Sequence, residues 1–464
     1  MGTGGAARPP ARARHQRVDW VGVFGERPGE QPPLEPSRLL CPVCRNPGPD
    51  RPPYACPACG ELLELVHPAP PVRGAALRAR LAARPPARHD PRTTSGVWRF
   101  SELIAPGLEP AAAVSQREGN TPLYESRALA AFAGLARPLL LKHEGMNPTG
   151  SFKDRGMTVG VSRAVALGAR AVACASTGNT AASLAAYAAL GGLRALVLVP
   201  AGGVAPGKLA QALAYGARCI EVEGSFDTAL ALLERAAAEL PLYVLNSVNP
   251  WRIEGQKTIV LEALAELDWQ PPDAIALPAG NLGNTSAFGK ALAEAQALGL
   301  IERLPRLLPV QAEGAAPFHR MLERGAAELE PEPEPRTVAS AIRIGRPRSW
   351  RRAARAVRRT GGRSAAVSDA EILEAKAAID AAGLGCEPAS AAALAGLRRL
   401  VAAGAVPASA RVLCVLTGHL LKDPATTLDY HAGPEPGPRA NRPVRVPAEP
   451  AALLALVERE LERG

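Results

Sequence analysis

Residues 171–200 read AVACASTGNTAASLAAYAALGGLRALVLVP, and this stretch decides the fold. Ala171–Ala175 is a short apolar run of the kind that becomes a strand buried on both faces. Small polar residues follow (Ser176, Thr177, Gly178, Asn179, Thr180), and then Ala181–Leu190 shows an Ala-rich helical period. Ala195–Pro200 is a second apolar run. Strand, helix and strand in so short a stretch make one βαβ unit, which requires parallel strands.

The same alternation extends outward in both directions. Leu139–Leu141, Cys219–Glu223, Leu242–Leu245, Ala274–Pro278, Leu307–Gln311 and Val412–Leu416 read as further buried strands, and Phe226–Leu240 and Thr285–Leu298 as helices between them. The repetition predicts an α/β fold of doubly wound parallel sheets covered by helices on both faces. Around this region, which spans 98–432, the chain divides by composition. Residues 1–36 are rich in Gly, Pro and Arg without a period and are expected to form a flexible lead. Residues 37–67 hold two CxxC pairs, and 68–97 read as a Pro- and Arg-rich link. Residues 433–464 form a Pro-rich tail with a short amphipathic helix from about 451 to 463, and Pro331–Pro335 is too Pro-rich for a helix interior.

Composition excludes several classes of protein. Of 464 residues 47% are apolar and 21% charged, an ordinary globular mix. No run of roughly 18 apolar residues is free of charge, so a membrane span is not expected. The net charge of +10 suggests nucleic acid, but only seven of the 54 basic residues are lysines, and the arginines are scattered along an Ala-, Gly- and Pro-rich chain. That is a compositional bias, and no nucleic-acid partner is expected. Cys174, Cys219, Cys386 and Cys414 lie singly in apolar runs and read as small buried hydrophobes. Unpaired thiols in core segments, with no secretory leader, point to a reducing, cytoplasmic compartment.

In parallel sheets, ligands bind in the loops between a strand end and the next helix. Four such junctions carry unusual residues. At the first, Ser151-Phe-Lys153-Asp-Arg opens a helix after a Gly/Asn/Pro turn. A lysine opposing the helix dipole has a depressed pKa, which suits a Schiff-base amine. The plain alternative is a solvated lysine balanced by Asp154. The second junction, Ser176–Thr180, is also explained by simple N-capping. The third, Gly280-Asn281-Leu282-Gly283-Asn284, aims consecutive backbone N–H groups at a phosphate, though it lacks the Walker lysine and the GxGxxG spacing. At the fourth, Thr417-Gly418, a hydroxyl ends a strand.

Taken together these junctions resemble one family. NPTGSFKDRGM (147–157), ASTGNTAAS (175–183), NSVNPWRIEGQKT (246–258), PAGNLGN (278–284), ASAIRIG (339–345), CEPASAA (386–392) and LTGHLLKDP (416–424) are similar, in order, to the threonine synthase family of pyridoxal-phosphate enzymes with the tryptophan-synthase-β-like fold (fold type II). Glu118-Gly-Asn-Thr-Pro-Leu123 resembles that family's opening segment. The resemblance implies two α/β domains with pyridoxal 5'-phosphate between them, the smaller spanning about 150–240. It implies conversion of O-phospho-L-homoserine and water to L-threonine and phosphate by a homodimeric lyase. By the same resemblance Lys153 is the Schiff-base lysine, and Gly280, Asn281, Leu282, Gly283 and Asn284 hold the cofactor phosphate. Asn179 meets the pyridine hydroxyl and Thr417 the ring nitrogen. Asn246 and Arg252 bind the substrate phosphate, with Ser176 and Thr177 assisting at its carboxylate or phosphate. The plain alternative for Arg252 is an ion pair with Glu254 or Glu262. A related enzyme acting on O-phosphoserine or threonine, such as a cysteate synthase or a dehydratase, is the competing activity. His143, Leu282, Arg346, Arg348 and Leu420 depart from the family pattern near the implied site, where a change in substrate size or charge preference would arise.

Cys41-x2-Cys44-x11-Cys56-x2-Cys59 has zinc-ribbon spacing: two knuckles delivering four thiolates to a structural zinc. His67 lies outside that spacing and is expected to be a bystander.

Overall fold

Among the residues described in the computed structural model (37–84, 89–109, 112–202, 206–224 and 226–462), the apolar runs assemble into three sheets. The expected flexible lead, 1–36, lies outside the described residues. β1 (Arg38–Leu40) and β2 (Glu64–Val66) pair antiparallel around the CxxC segment. β3 (Leu123–Ser126) and β4 (Leu139–His143) begin a six-stranded sheet. β5 (Ala171–Ala175), β6 (Arg194–Pro200), β7 (Arg218–Val222) and β8 (Leu242–Val244) form a four-stranded, wholly parallel sheet in the order β7-β6-β5-β8. The chain then returns to the larger sheet with β9 (Ala274–Pro278), β10 (Arg306–Ala312), β11 (Ala365–Val367) and β12 (Val412–Leu416). Its order is β11-β10-β9-β12-β4-β3, parallel except for β3 at the edge.

The α/β class expected from the βαβ reading is therefore what the chain forms. Every residue of β4, β9 and β12 is buried, as strands with helices on both faces must be. β3 and β11 escaped the pattern because one is a short edge strand of mixed polarity and the other is three small residues long. Cys219 departs from the expected burial: it lies on β7, an edge strand, and is only partly covered. The 68–97 stretch is more than a link. It carries the helix Gly74–Ala82, whose Leu77 and Leu81 lie four residues apart and are buried in the main core.

Two helices position the site. Lys153–Ala166 and Pro250–Glu266 pack together. Asn249 caps the second by accepting the Trp251 N–H at 2.9 Å, with Pro250 in the first turn. Glycine makes the close approach possible: a Cβ on Gly255 would lie 1.8 Å from the Arg155 carbonyl oxygen.

Candidate active site

The C-terminal ends of β4 and β12 lie side by side, with Leu416 opposite His143, and β9 pairs on the other flank of β12. Lys153 is placed there by backbone pairing. Phe152 N–H donates to the Thr417 carbonyl at 3.0 Å, and His419 N–H donates to the Gly150 carbonyl at 2.9 Å. The turn before the helix is thus laced to the end of β12, so Lys153 opens its helix beside Thr417. Phe152 supplies no side-chain cap, leaving the positive end of the helix open near the amine.

The residue keeps some exposed surface, but its amine is enclosed. Among the described residues it has no hydrogen-bond or ion-pair partner, and it stands 4.0 Å from the centroid of the Phe152 ring. Burial, aided by the charge of Arg252 and opposed by Glu387, lowers its pKa from 10.5 to about 7. Asp154 does not balance it. That carboxylate accepts from the Thr149 N–H at 2.7 Å, the Thr149 hydroxyl at 2.5 Å and the Ser183 hydroxyl at 2.6 Å.

Arg252 is fully buried on the neighbouring helix. Its Nη1 donates to the Leu245 carbonyl at 3.0 Å, while Nε and Nη2 have no partner among the described residues. The pairing with Glu254 or Glu262 does not form. Glu254 takes His67, Lys257 and Lys290 instead, and Glu262 takes Lys142 and Arg155. Burial lowers the Arg252 pKa to about 10, which leaves it a cation at neutral pH.

The loop after β9 enters the helix Gly283–Ala297 through Leu282, at φ +63° and ψ 15°. A left-handed conformation costs a leucine about 1–2 kcal/mol. Its side chain offsets this by burial with Phe318, Met321 and Val357, so Leu282 is an anchor of the loop. The helix start has no side-chain cap, and Asn284 Oδ1 and Thr285 Oγ1 are buried without partners. Asn281 is fixed by donating to the Ser247 hydroxyl and accepting the Arg348 N–H, each at 2.5 Å.

Opposite, Asn179 donates through Nδ2 to the Glu387 carboxylate at 3.0 and 3.3 Å. Glu387 is buried, and burial raises its pKa. Thr417 Oγ1 lies 3.0 Å from the Ser390 hydroxyl, which also accepts the N–H groups of Thr417 and Gly418, both at 2.9 Å. Glu387 and Ser390 lie in the CEPASAA stretch (386–392), in which the sequence alone marks neither for a task. The available signal was an acid just ahead of Pro388, at a helix N-cap it does not cap by side chain.

Other expected residues are accounted for less directly. Both ends of the Asn246 amide are engaged by Ala175, accepting its N–H at 3.1 Å and donating to its carbonyl at 3.0 Å. Ser176 and Thr177 lie just beyond, partly buried. His143 Nε2 faces the carbonyls of Leu384 and Gly385 at 2.8 and 3.0 Å, so it carries the proton, and Arg346 is exposed. Leu420 opens the single-turn helix Leu420–Lys422.

Away from the cleft, Cys41, Cys44, Cys56 and Cys59 converge within 4.8 Å of one another. The Sγ separations of 3.4 Å for Cys41–Cys59 and 3.5 Å for Cys44–Cys56 approach the edge of about 3.8 Å expected for four thiolates around zinc. His67 is no ligand: its ring bonds Ser37 at 2.7 Å and Glu254 at 2.8 Å, joining this segment to the helix Pro250–Glu266.

An unpaired amine, an unpaired guanidinium and an uncapped helix start with unpartnered polar atoms suit a phosphorylated aldehyde. A family model described as "Pyridoxal-phosphate dependent enzyme" matches residues 114–418. The chain belongs to the pyridoxal-phosphate dependent enzymes. Within them it is 50% identical over 334 residues to a threonine synthase of Methanosarcina acetivorans, covering 72% of this chain and 82% of that protein. It is 45% identical over 372 residues to a threonine synthase of Methanocaldococcus jannaschii, covering 80% and 89%. Among solved structures, maize serine racemase matches with a TM-score of 0.55 at 22% identity, covering 70% of this chain and 93% of that one, a likeness of fold.

Proposed function

We propose that the chain is a threonine synthase, converting O-phospho-L-homoserine and water to L-threonine and phosphate. The observation that carries this reading is Arg252, a buried guanidinium with two free donor atoms beside the Lys153 amine. A dehydratase of threonine has no substrate phosphate for such a cation to meet.

Pyridoxal phosphate, when bound, supplies the electron sink that lets α- and β-protons leave. In this reading Lys153 holds it covalently. Gly280–Asn284 receives its phosphate at the helix start, where Asn284 and Thr285 have bonds to offer. Asn179, held by Glu387, meets the ring hydroxyl. Thr417, held by Ser390, faces the ring nitrogen with a neutral hydroxyl that does not keep it protonated. Ser176 and Thr177 assist at the substrate's carboxylate or phosphate. Arg252 takes the substrate phosphate with Asn246, which exchanges its bonds to Ala175 to do so. With substrate in the cleft, the Lys153 amine would take the α-proton and later a β-proton. A pKa near 7 serves both uptake and return of protons. Phosphate leaves the γ-carbon toward Arg252, and water adds at the β-carbon.

The same reading places a structural zinc on Cys41, Cys44, Cys56 and Cys59. It gives the small domain about residues 150–240, makes the enzyme a homodimer and locates it in the cytoplasm, where its thiols stay reduced. The test is to supply purified protein and pyridoxal phosphate with O-phospho-L-homoserine and quantify both products. Threonine and phosphate are expected in equal amounts. Turnover of O-phospho-L-serine in its place, or of threonine alone, would overturn the assignment.

A further inference from the structure

A cavity of about 700 Å³ lies apart from the Lys153 cleft, on the outer face of the Gly283–Ala297 helix. Its walls come from β2 and the segment after it, from that helix, and from the helix Trp350–Arg359. The volume is that of an ordinary small-molecule site. Its charges are unbalanced. The lining carboxylates already have partners: Glu64 lies 3.7 Å from Arg355, Glu102 takes Arg80 and Arg84, and Glu294 takes Lys257 and Lys290. Three lining arginines, Arg73, Arg352 and Arg359, have no carboxylate partner among the described residues.

Arg352 is the most telling of these. It is 5% exposed, its Nε and Nη1 have no hydrogen bond, and Nη2 has only a 3.5 Å contact with the Ser349 hydroxyl. Glu64, Glu61 and Glu254 act on its charge from a distance but none bonds it, and a guanidinium buried without a bonded carboxylate is destabilising unless an anion completes it. Leu65, Leu103 and Leu298 give the same cavity an apolar side. We propose that this cavity binds a small organic phosphomonoester, its dianion on Arg352, Arg73 and Arg359 and its apolar body against the leucines. The planar guanidinium fork matches phosphate oxygens two at a time, and three cations suit a dianion better than a single carboxylate.

Calorimetric titration of the full-length holoenzyme with phenyl phosphate tests this, reading equivalents bound per chain. Arg352→Gln is expected to lose one equivalent relative to wild type, its affinity falling about tenfold or more, as expected for removing a charged hydrogen-bonding group. Arg73→Ala, an exposed substitution that does not threaten folding, is expected to weaken the same equivalent by about threefold or more. Because the readout is a difference between variants, it does not depend on what binds beside Lys153. Titration curves identical to wild type for Arg73→Ala and for folded Arg352→Gln would overturn the proposal. So would inorganic phosphate binding the lost equivalent as tightly as phenyl phosphate, because the apolar side would then contribute nothing.

Discussion

Lys153 and Arg155 stand two residues apart on one helix, yet their surroundings are opposite. Arg155 is wholly enclosed by carboxylates, with Glu144 at 2.6 Å and Glu262 at 2.9 Å, and Lys142 meets the same Glu262 at 2.7 Å. That compensation holds Glu262 down to about 2. By contrast, Lys153 on that helix and Arg252 on its neighbour are enclosed with no carboxylate bond among the described residues. Burying a charge is costly, and a fold that has paired one set of cations so completely had the means to pair the other. The Arg155 network thus holds the two helices together, whereas the Lys153 amine and the Arg252 guanidinium are left to meet the anionic ligand proposed above.

Substitutions can break this contrast at several points. Lys153→Ala is expected to lower turnover roughly 10²–10⁴-fold without lowering the melting temperature. Steady-state assays beside thermal melts check it, and activity within tenfold of wild type would move the proton transfers to another group. Arg252→Leu is expected to raise KM for the phosphorylated substrate about 10- to 100-fold, as for loss of one charged hydrogen-bonding partner. An unchanged KM would remove the substrate phosphate from this residue.

How much of this was legible in the sequence follows from where each signal lies. The βαβ reading of 171–200 carried the fold because buried parallel strands write themselves as unbroken apolar runs. Lys153 and the 280–284 loop were legible as strand-to-helix junctions, although neither was decisive alone and their tasks came from the resemblance of the ordered motifs to one family. The isolation of Arg252 was not. Glu254 and Glu262, two and ten residues on, lack the i+3 or i+4 spacing of a helical pair, but an acid from elsewhere in the chain could have met the guanidinium, and only tertiary packing shows that none of the described residues does. Glu387 and Ser390 were equally hidden, since their partners Asn179 and Thr417 lie 208 and 27 residues away.

Smaller effects sharpen the same contrast. The depressed Lys153 pKa predicts that cofactor uptake by the apo-protein, followed by absorbance, levels off above about pH 7 and not near 10.5. Between those values the unfolded chain holds more protons than the folded one, so this lysine's contribution to stability rises with pH across that window. A stopped-flow rate still climbing at pH 9 would contradict the enclosure of the amine. The CxxC segment lies outside the cleft, so the zinc proposed there predicts that a chelator lowers the melting temperature while leaving KM unchanged, with one zinc per chain released as measured by mass spectrometry.

The most direct measurement is equilibrium urea unfolding of Arg155→Leu and Arg252→Leu, compared with wild type in the absence of cofactor. Removing Arg155 strands Glu144 and leaves Glu262 with Lys142 alone, so a loss of about 3–5 kcal/mol is expected. Removing Arg252 abandons no carboxylate, so its stability should be unchanged or higher. Equal losses from the two substitutions would mean that Arg252 is a structural cation, and the case for a ligand phosphate beside Lys153 would fall with it.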